Sequence, residues 1–315
     1  MMIRKALSCG ALALLTLCVA ACSGTRAGRT TPVARDAYYQ RVSTSALAAF
    51  DRGDPVRAAE LYRQALQRAR AMDRASEISA AAYHTGIALA ASGEWAASRI
   101  YFAEAMAEAD RAGESRLDAW LADAEAAWQT GQQDDAWAQT EAMLVALDNV
   151  DAPSWLLHIY LLRALMATEV GTLDVARENV ALAQSIEARS RDRRLNARLM
   201  QAEGALLLAE ESPLLAAVAF DREAQIYRDA EAYKDMAVAL ARAGDAYELA
   251  DDDAMAADRY FRAARSFHAQ QLPAQALRQI EAALQVMERT GPSALAERVA
   301  LLVEEIETSL KKKEP

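Results

Sequence analysis

Residues 86–105 read GIALAASGEWAASRIYFAEA, and residues 244–263 read GDAYELADDDAMAADRYFRA. Both stretches begin with glycine, reach a turn-like residue seven positions later, and carry an aromatic residue nine positions beyond that turn. Helices that cross closely need small side chains at the contact and bulky side chains in the flanking gaps. This spacing therefore predicts two packed helices joined by a short turn.

The same arrangement recurs along the chain with a period of about 40 residues, which indicates a repeat architecture. The turn positions are Gly53, Gly93, Gly131, Gly171, Glu211, Asp251 and Gly291. The positions seven residues before them, on the first helix, are Ala46, Gly86, Ala124, Ala164, Gly204, Gly244 and Leu284. The positions nine residues after them, on the second helix, are Tyr62, Phe102, Thr140, Val180, Phe220, Tyr260 and Ala300. We predict seven units, each with two helices of about 17 residues.

The residues around the turns support the predicted helix boundaries. Proline is predicted at the first position of five helices, namely Pro55, Pro153, Pro213, Pro273 and Pro292. Asp54 and Ser212 precede two of these prolines and are predicted to cap the helices with their side chains. In the acidic run 251–253, the last residue, Asp253, is predicted to cap the following helix.

These columns resemble the tetratricopeptide repeat (TPR), in which small residues mark the helix crossing and an aromatic residue lies on the second helix. Trp120 falls at the tryptophan position of the same pattern. The resemblance covers residues 36–310 and implies an all-α, right-handed α-solenoid of about seven helix-turn-helix repeats, or about fourteen antiparallel helices. The period of about 40 exceeds the usual 34, and Thr140 replaces the aromatic residue in the third unit. Two alternatives stay open for the first and seventh units, which are either true repeats or caps.

Composition agrees with a helical array and excludes one class of partner. The chain has 315 residues, of which 53% are apolar and only 6% aromatic, with 12 glycines and 7 prolines. Length alone would allow about two globular domains, but abundant alanine with few aromatic residues favours close-crossing helix pairs. The formal net charge of −10 argues against a nucleic-acid partner, which needs a basic surface.

The N-terminal residues carry the pattern of an exported protein. Arg4 and Lys5 precede an uncharged, mainly apolar stretch from Ala6 to Ala21, which predicts a signal peptide over residues 1–21. The following residues 22–35 are predicted to form a flexible tether. At the other end, residues 311–315 form a basic tail that is predicted to complement the dipole of the last helix, with lipid binding as the alternative.

The junction Val19-Ala20-Ala21-Cys22-Ser23 resembles the lipobox of bacterial lipoproteins. The resemblance implies cleavage before Cys22, attachment of acyl chains such as palmitate to Cys22, and, with serine next, residence at the outer membrane. An uncleaved N-terminal anchor is the alternative. All three cysteines, Cys9, Cys18 and Cys22, lie within this region, so no disulfide or thiol chemistry is expected in the rest of the chain.

No pattern of catalytic or metal-binding residues is found. The three histidines, His84, His158 and His268, are dispersed over three predicted helices, and the glycine-rich, HExxH, GxSxG and CxxC motifs are absent from the sequence. We expect no enzyme activity, no cofactor and no metal ion.

The TPR resemblance implies that the first helix of each repeat lines a concave groove that holds a protein or peptide partner. The groove positions in units two to four are Tyr83, His84, Ile87, Leu121, Glu125, Trp128, Leu161 and Leu165. Those in units five to seven are Arg198, Gln201, Arg242, Asp245, Glu248, Glu281 and Gln285. We expect Tyr83 and an exposed Trp128 to anchor the partner and the charged residues to set its register; packing of Trp128 in the core is the alternative.

The function expected from these patterns is that of a periplasmic scaffold or adaptor, anchored to the outer membrane, in an envelope assembly process. Lipoproteins with a similar location and similar repeats serve outer-membrane barrel assembly, pilus secretin assembly and peptidoglycan machinery. A resemblance in fold does not distinguish among these three processes. Two alternatives stay open: a cytoplasmic peptide-sensing TPR regulator, and an envelope enzyme whose site is not recognised.

Overall fold

The structure is a computed structural model that describes residues 36–187, 192–290 and 294–311. Within these residues every regular element is an α-helix, and there are fourteen of them. The prediction of an all-α protein is confirmed. The predicted signal peptide, Cys22, the tether and the tail beyond Lys311 lie outside the described residues, as do the turn at Gly291 and Pro292.

The chain divides into two compact units, and the first ends at Ala146. Its helices are α1 (Ala37–Asp51), α2 (Pro55–Ala71), α3 (Ala75–Ala91), α4 (Trp95–Ala112), α5 (Leu117–Gln129) and α6 (Gln133–Ala146). Each helix packs against the next one along the chain. Unit 1 therefore contains three of the predicted helix pairs.

Unit 2 begins at Leu147 and contains four helix pairs. Its helices are α7 (Pro153–Glu169), α8 (Leu173–Glu187), α9 (Arg193–Ala209), α10 (Pro213–Asp229), α11 (Tyr233–Leu249), α12 (Asp253–Ala269), α13 (Pro273–Thr290) and α14 (Ala294–Lys311). Successive helices pack against each other, α7 also packs against α9, and α14 contacts both α12 and α13. The single continuous array over 36–310 stays a prediction.

The predicted turns have left-handed backbone at the expected positions. The φ angle is +79° at Gly53, +56° at Glu211 and +58° at Asp251, and it is equally positive at Gly93, Gly131 and Gly171. The N–H of the turn residue and the N–H of the residue after it bond back to the end of the helix. At Glu211, for example, its own N–H donates to the Leu208 carbonyl and the Ser212 N–H donates to the Leu207 carbonyl. This pattern satisfies the last carbonyl groups of the helix, so all six described turns are confirmed.

A second set of left-handed residues lies between the repeats, about 20 residues from the first. These residues are Asp73, Gly113, Asn149, Glu231 and Gln271, with φ between +50° and +71°. They are not among the predicted turns, and Glu231 and Gln271 are not residue types that favour left-handed backbone. Among the described turns, helices thus end in a similar way both within and between the repeats.

The helix starts confirm the proline positions and correct two of the capping residues. Pro55, Pro153, Pro213 and Pro273 are each the first residue of a helix. Asp54 caps α2 as predicted, because its carboxylate accepts from the N–H of Arg57 at 3.0 Å. Ser212 makes no side-chain cap, since its hydroxyl is directed towards the Glu210 carbonyl instead. The prediction that Asp253 caps α12 is wrong: Asp252 accepts from the N–H of Met255 at 3.1 Å, which puts Asp253 in the first turn.

The crossing positions explain why glycine and an aromatic residue occur together. A Cβ atom built on Gly86, Gly204 or Gly244 would lie 2.5–2.6 Å from the ring of Phe102, Phe220 or Tyr260. Carbon atoms in ordinary contact are about 3.5–4.0 Å apart. Glycine is therefore needed in these three repeats because the aromatic ring fills the space of a side chain.

The other repeats achieve the crossing with different pairs of residues. Where Thr140 and Val180 replace the ring, the facing positions are alanine, and all four residues are buried. The first repeat combines Ala46 with Tyr62, which is 5% exposed, so alanine is tolerated there. In the seventh unit Leu284 is 44% exposed and Ala300 is also exposed. The last helix pair therefore lacks the crossing contact at these two positions and buries the neighbouring Ala283 and Val299 instead.

Candidate partner-binding surfaces

The apolar groove residues of unit 1 are core residues. Tyr83 is 3% exposed, Ile87 and Trp128 are 7% exposed and Leu121 is 4% exposed. The Tyr83 ring packs against Phe102, with 6.2 Å between the centroids. The prediction that Tyr83 and Trp128 form an exposed anchor is wrong, because these side chains fill the space between helices instead of facing outward.

His84 and Glu125 stay partly accessible on the first helices of unit 1. The His84 ring stacks on Tyr62 with 5.1 Å between the centroids, and the Arg116 guanidinium lies 4.4 Å above the ring of Tyr83. Burial, assisted by the positive charge of Arg116, lowers the pKa of His84 to about 4. His84 is therefore neutral at physiological pH and contributes a ring, not a charge.

An ion-pair network that the sequence did not predict joins α4, α5 and α6 in unit 1. Arg99 donates from Nε and Nη2 to both carboxylate oxygens of Asp123, at 2.8 and 3.0 Å, and from Nη2 to Asp135 at 2.6 Å. Gln139 adds a bond to Asp123 at 2.9 Å. Asp123 is only 6% exposed, so these bonds satisfy a buried carboxylate and serve packing.

In unit 2, the prediction that Leu161 faces the groove is also wrong, because its side chain is fully buried. Leu165 is half-buried. His158, one turn before Leu161 on α7, is half-buried beside Trp155. Burial, with a contribution from the charge of Arg198, lowers the pKa of His158 to about 3.

The polar groove residues of unit 2 are partly accessible and lie on α9 and α11. Arg198 and Gln201 are half-buried on α9. Arg242 on α11 donates from Nη1 to Glu223 Oε1 at 2.7 Å, and its own side chain is 17% exposed. Glu223, on α10, is fully buried, and burial raises its pKa to about 7. No sequence motif marks Glu223, although a glutamate at this position differs from the apolar residues at the equivalent position of the other repeats.

A third polar group lies further along α11. The Tyr260 hydroxyl is 2.7 Å from Asp245 Oδ1 and 3.0 Å from Glu248 Oε2. Arg289 on α13 donates to the other oxygen of Glu248 at 2.8 Å and to Asp253 at 2.7 Å. Asp245 is exposed and Glu248 is half-buried, so both carboxylates can also meet a partner.

Metal sites, membrane-spanning helices and exposed apolar side chains bear on what the described residues can do. Within the described residues no group of histidine, cysteine or acidic side chains could hold a metal ion, and no described helix is long and apolar enough to cross a membrane. On α10, Leu214, Leu215 and Val218 expose 40–59% of their side chains. The accessible groups thus favour recognition by ion pairs and apolar contact.

Comparison with known proteins supports the fold. No family model and no curated protein matches the chain. Apo RapI aligns at 9% identity over 88% of this chain and 77% of that chain, with a TM-score of 0.53. A chain of the APC/C hetero-tetramer Cut9–Hcn1 aligns at 15% identity over 88% of this chain and 50% of that chain, with a TM-score of 0.50. A tetratricopeptide repeat protein from Parabacteroides merdae aligns at 14% identity over 86% and 99% of the two chains, with a TM-score of 0.45.

At these identities the likeness concerns the fold alone. Together with the helix pairs and their crossing residues, it confirms the prediction of TPR-like helix-turn-helix repeats.

Proposed function

We propose that this protein is a protein-binding scaffold whose helical repeats hold a segment of a partner. The observation that carries the proposal is the stack of similar helix pairs in each unit, which presents accessible polar side chains from the first helices. In unit 2 these side chains include Arg198, Gln201, Asp245 and Glu248. Repeat proteins of this kind use extended surfaces for binding.

We further propose that Cys22 carries a lipid that anchors the scaffold to the periplasmic side of the outer membrane, where it serves an envelope assembly process. The support is the sequence pattern around Cys22, which resembles a lipobox and implies acylation of this cysteine. Two or more acyl chains anchor a protein firmly to a membrane. Fractionation of cells that produce the parent chain or Cys22→Ala tests this proposal. The parent is expected in the outer-membrane fraction and the variant in a soluble fraction. Recovery of both from the cytoplasm would favour the peptide-sensing regulator instead.

The scaffold role is tested by crosslinking in intact cells. A photoreactive amino acid replaces Gln201, which is half-buried on α9, and in a matched control it replaces Gln225, which is exposed on α10. Mass spectrometry then identifies the captured proteins. The Gln201 position is expected to capture a defined protein that the Gln225 position captures less. If neither position captures any protein, the scaffold role is refuted.

A further inference from the structure

Glu223 is unusual among the residues at its position in the repeats. The equivalent residues are Ala65, Ala105, Met143, Ala183 and Ala263, and each of them is fully buried. Glu223 is equally buried, although burying a carboxylate costs free energy that an alanine does not. Packing and stability therefore give no reason for glutamate at this position.

What Glu223 does is to hold Arg242. Its Oε1 accepts the 2.7 Å bond from Arg242 Nη1, and among the described residues its Oε2 has no hydrogen-bond partner. The other N–H groups of Arg242 make no hydrogen bond to the described residues, and the side chain reaches the surface. The ion pair thus fixes one edge of the guanidinium and leaves the other edge available.

Arg198 brings a second guanidinium close to the same place. It lies on α9, and its charge acts on the Glu223 carboxyl and the Tyr227 hydroxyl, as does the charge of Arg242. Arg198 is half-buried, and it too makes no hydrogen bond to the described residues. Partly desolvated guanidinium groups that keep N–H groups without acceptors favour the binding of a carboxylate, which two N–H groups can hold at once.

The charges around this place are positive in a protein that is acidic as a whole. From α9, Arg194 and Arg198 face Asp235 and Glu223, and α11 contributes Lys234 and Arg242 as well as Asp235. The charge of Arg242 also acts on Asp245, so these four cations meet three carboxylates, whereas the chain has a formal net charge of −10. The local field therefore favours an anionic partner.

We infer that the α9–α11 surface around Arg198 and Arg242 binds an acidic peptide segment of the partner, and that Glu223 is the positioning residue for Arg242. This inference rests on the proposed scaffold function and names the chemistry of its partner. A protonated Glu223 still accepts a hydrogen bond from Arg242 through its carbonyl oxygen, whereas an ionised Glu223 also competes with the bound carboxylate for the charge of Arg242. Binding is therefore stronger where Glu223 is protonated.

The test measures peptide binding to the full-length protein in detergent by titration calorimetry. The probe is a short peptide in which glutamate alternates with alanine, with both ends blocked, and its control has glutamine in place of glutamate. A glutamine peptide with a free C-terminal carboxylate and inorganic phosphate are the other arms. We expect binding of the glutamate peptide alone; equal binding of the glutamine peptide, or binding of only the free carboxylate or phosphate, would overturn the inference.

Two variants locate the site and one controls for charge. Arg198→Gln and the double variant Glu223→Gln, Arg242→Gln are each expected to weaken binding about tenfold. The double variant leaves no buried charge unpaired, so its fold is preserved. Arg222→Gln, at an exposed position on α10, removes the same charge and is expected to change nothing. Unaltered affinity in the first two variants would refute the site, even if crosslinking at Gln201 still captures a partner.

The role of Glu223 is read from the pH dependence. Wild-type affinity for the glutamate peptide is expected to rise severalfold from pH 8 to pH 6, where the peptide stays ionised. Glu223→Gln is expected to bind equally well at both pH values. Parallel pH profiles of the two proteins would show that Glu223 has no such role.

Discussion

The crossing of α9 and α10 gives a sharp prediction about Gly204 and Phe220. In Gly204→Ala, the added methyl group would lie 2.5 Å from the Phe220 ring, and overpacking of this kind costs about 1–3 kcal/mol. Replacing glycine inside a helix gains about 1 kcal/mol of helix propensity. We therefore expect a net loss of up to about 2 kcal/mol, close to zero if the ring shifts as the Ala46–Tyr62 pair of the first repeat allows.

The compensating change is Phe220→Val, which together with Gly204→Ala reproduces the Ala164–Val180 pair of the fourth repeat. Phe220→Val alone leaves a cavity and is expected to cost about 2–4 kcal/mol. In the double variant the methyl group partly fills that cavity, so the total cost is expected to be about 1–2 kcal/mol smaller than the sum of the single costs.

Urea unfolding of the four proteins, followed by circular dichroism, gives the coupling free energy directly. Ala164→Gly is the matched control, because Val180 leaves room for a methyl group and the variant should lose about 1 kcal/mol of helix propensity. The crossing argument is refuted if Gly204→Ala is more stable than the parent by the full gain in helix propensity of about 1 kcal/mol, or if the two single effects simply add.

Three further predictions concern the turns, the buried acid and the core. Glu211→Gly should stabilise the protein by about 1 kcal/mol because it relieves left-handed strain, whereas Gly171→Ala should destabilise it by a similar amount; thermal unfolding checks both. The pKa of Glu223 is raised from 4.5 to about 7 in the folded state, so its contribution to stability is present below pH 4.5 and is lost as the pH rises through 7. Urea unfolding of Glu223→Gln should show a gain over the parent that is larger at pH 8 than at pH 5. Trp128→Ala should cost about 3–5 kcal/mol of stability, because the side chain is buried; an unchanged urea midpoint would contradict this.

The repeat architecture could be predicted because its determinants are local and periodic. The positions of Gly86 and Phe102 relative to the turn at Gly93 already specify a helix crossing, and the structure shows the contact. The turn at Gln271 could not be predicted in this way, because glutamine is not a residue type that favours the left-handed backbone it adopts.

The binding surface was harder to predict than the fold for a related reason. Helical periodicity tells which side of a helix a residue occupies, but it does not tell how deeply neighbouring helices cover that side. Tyr83 and Trp128 are on the first helices as expected and yet are buried. Glu223 depends on Arg242 of the following helix, and such a long-range pair leaves no local pattern.

The missing crossing contact in the last helix pair affects how the protein opens. Leu284 and Ala300 are exposed where other repeats bury their contact residues, and α14 packs less extensively on α12 and α13 than the helices from α9 to α12 pack on each other. Because helices pack mainly on their neighbours in sequence, loss of one end does not require loss of the rest. Amide hydrogens of α14 should therefore exchange faster than those of α9 to α12, and local opening of α14 does not require loss of the structure around Arg242.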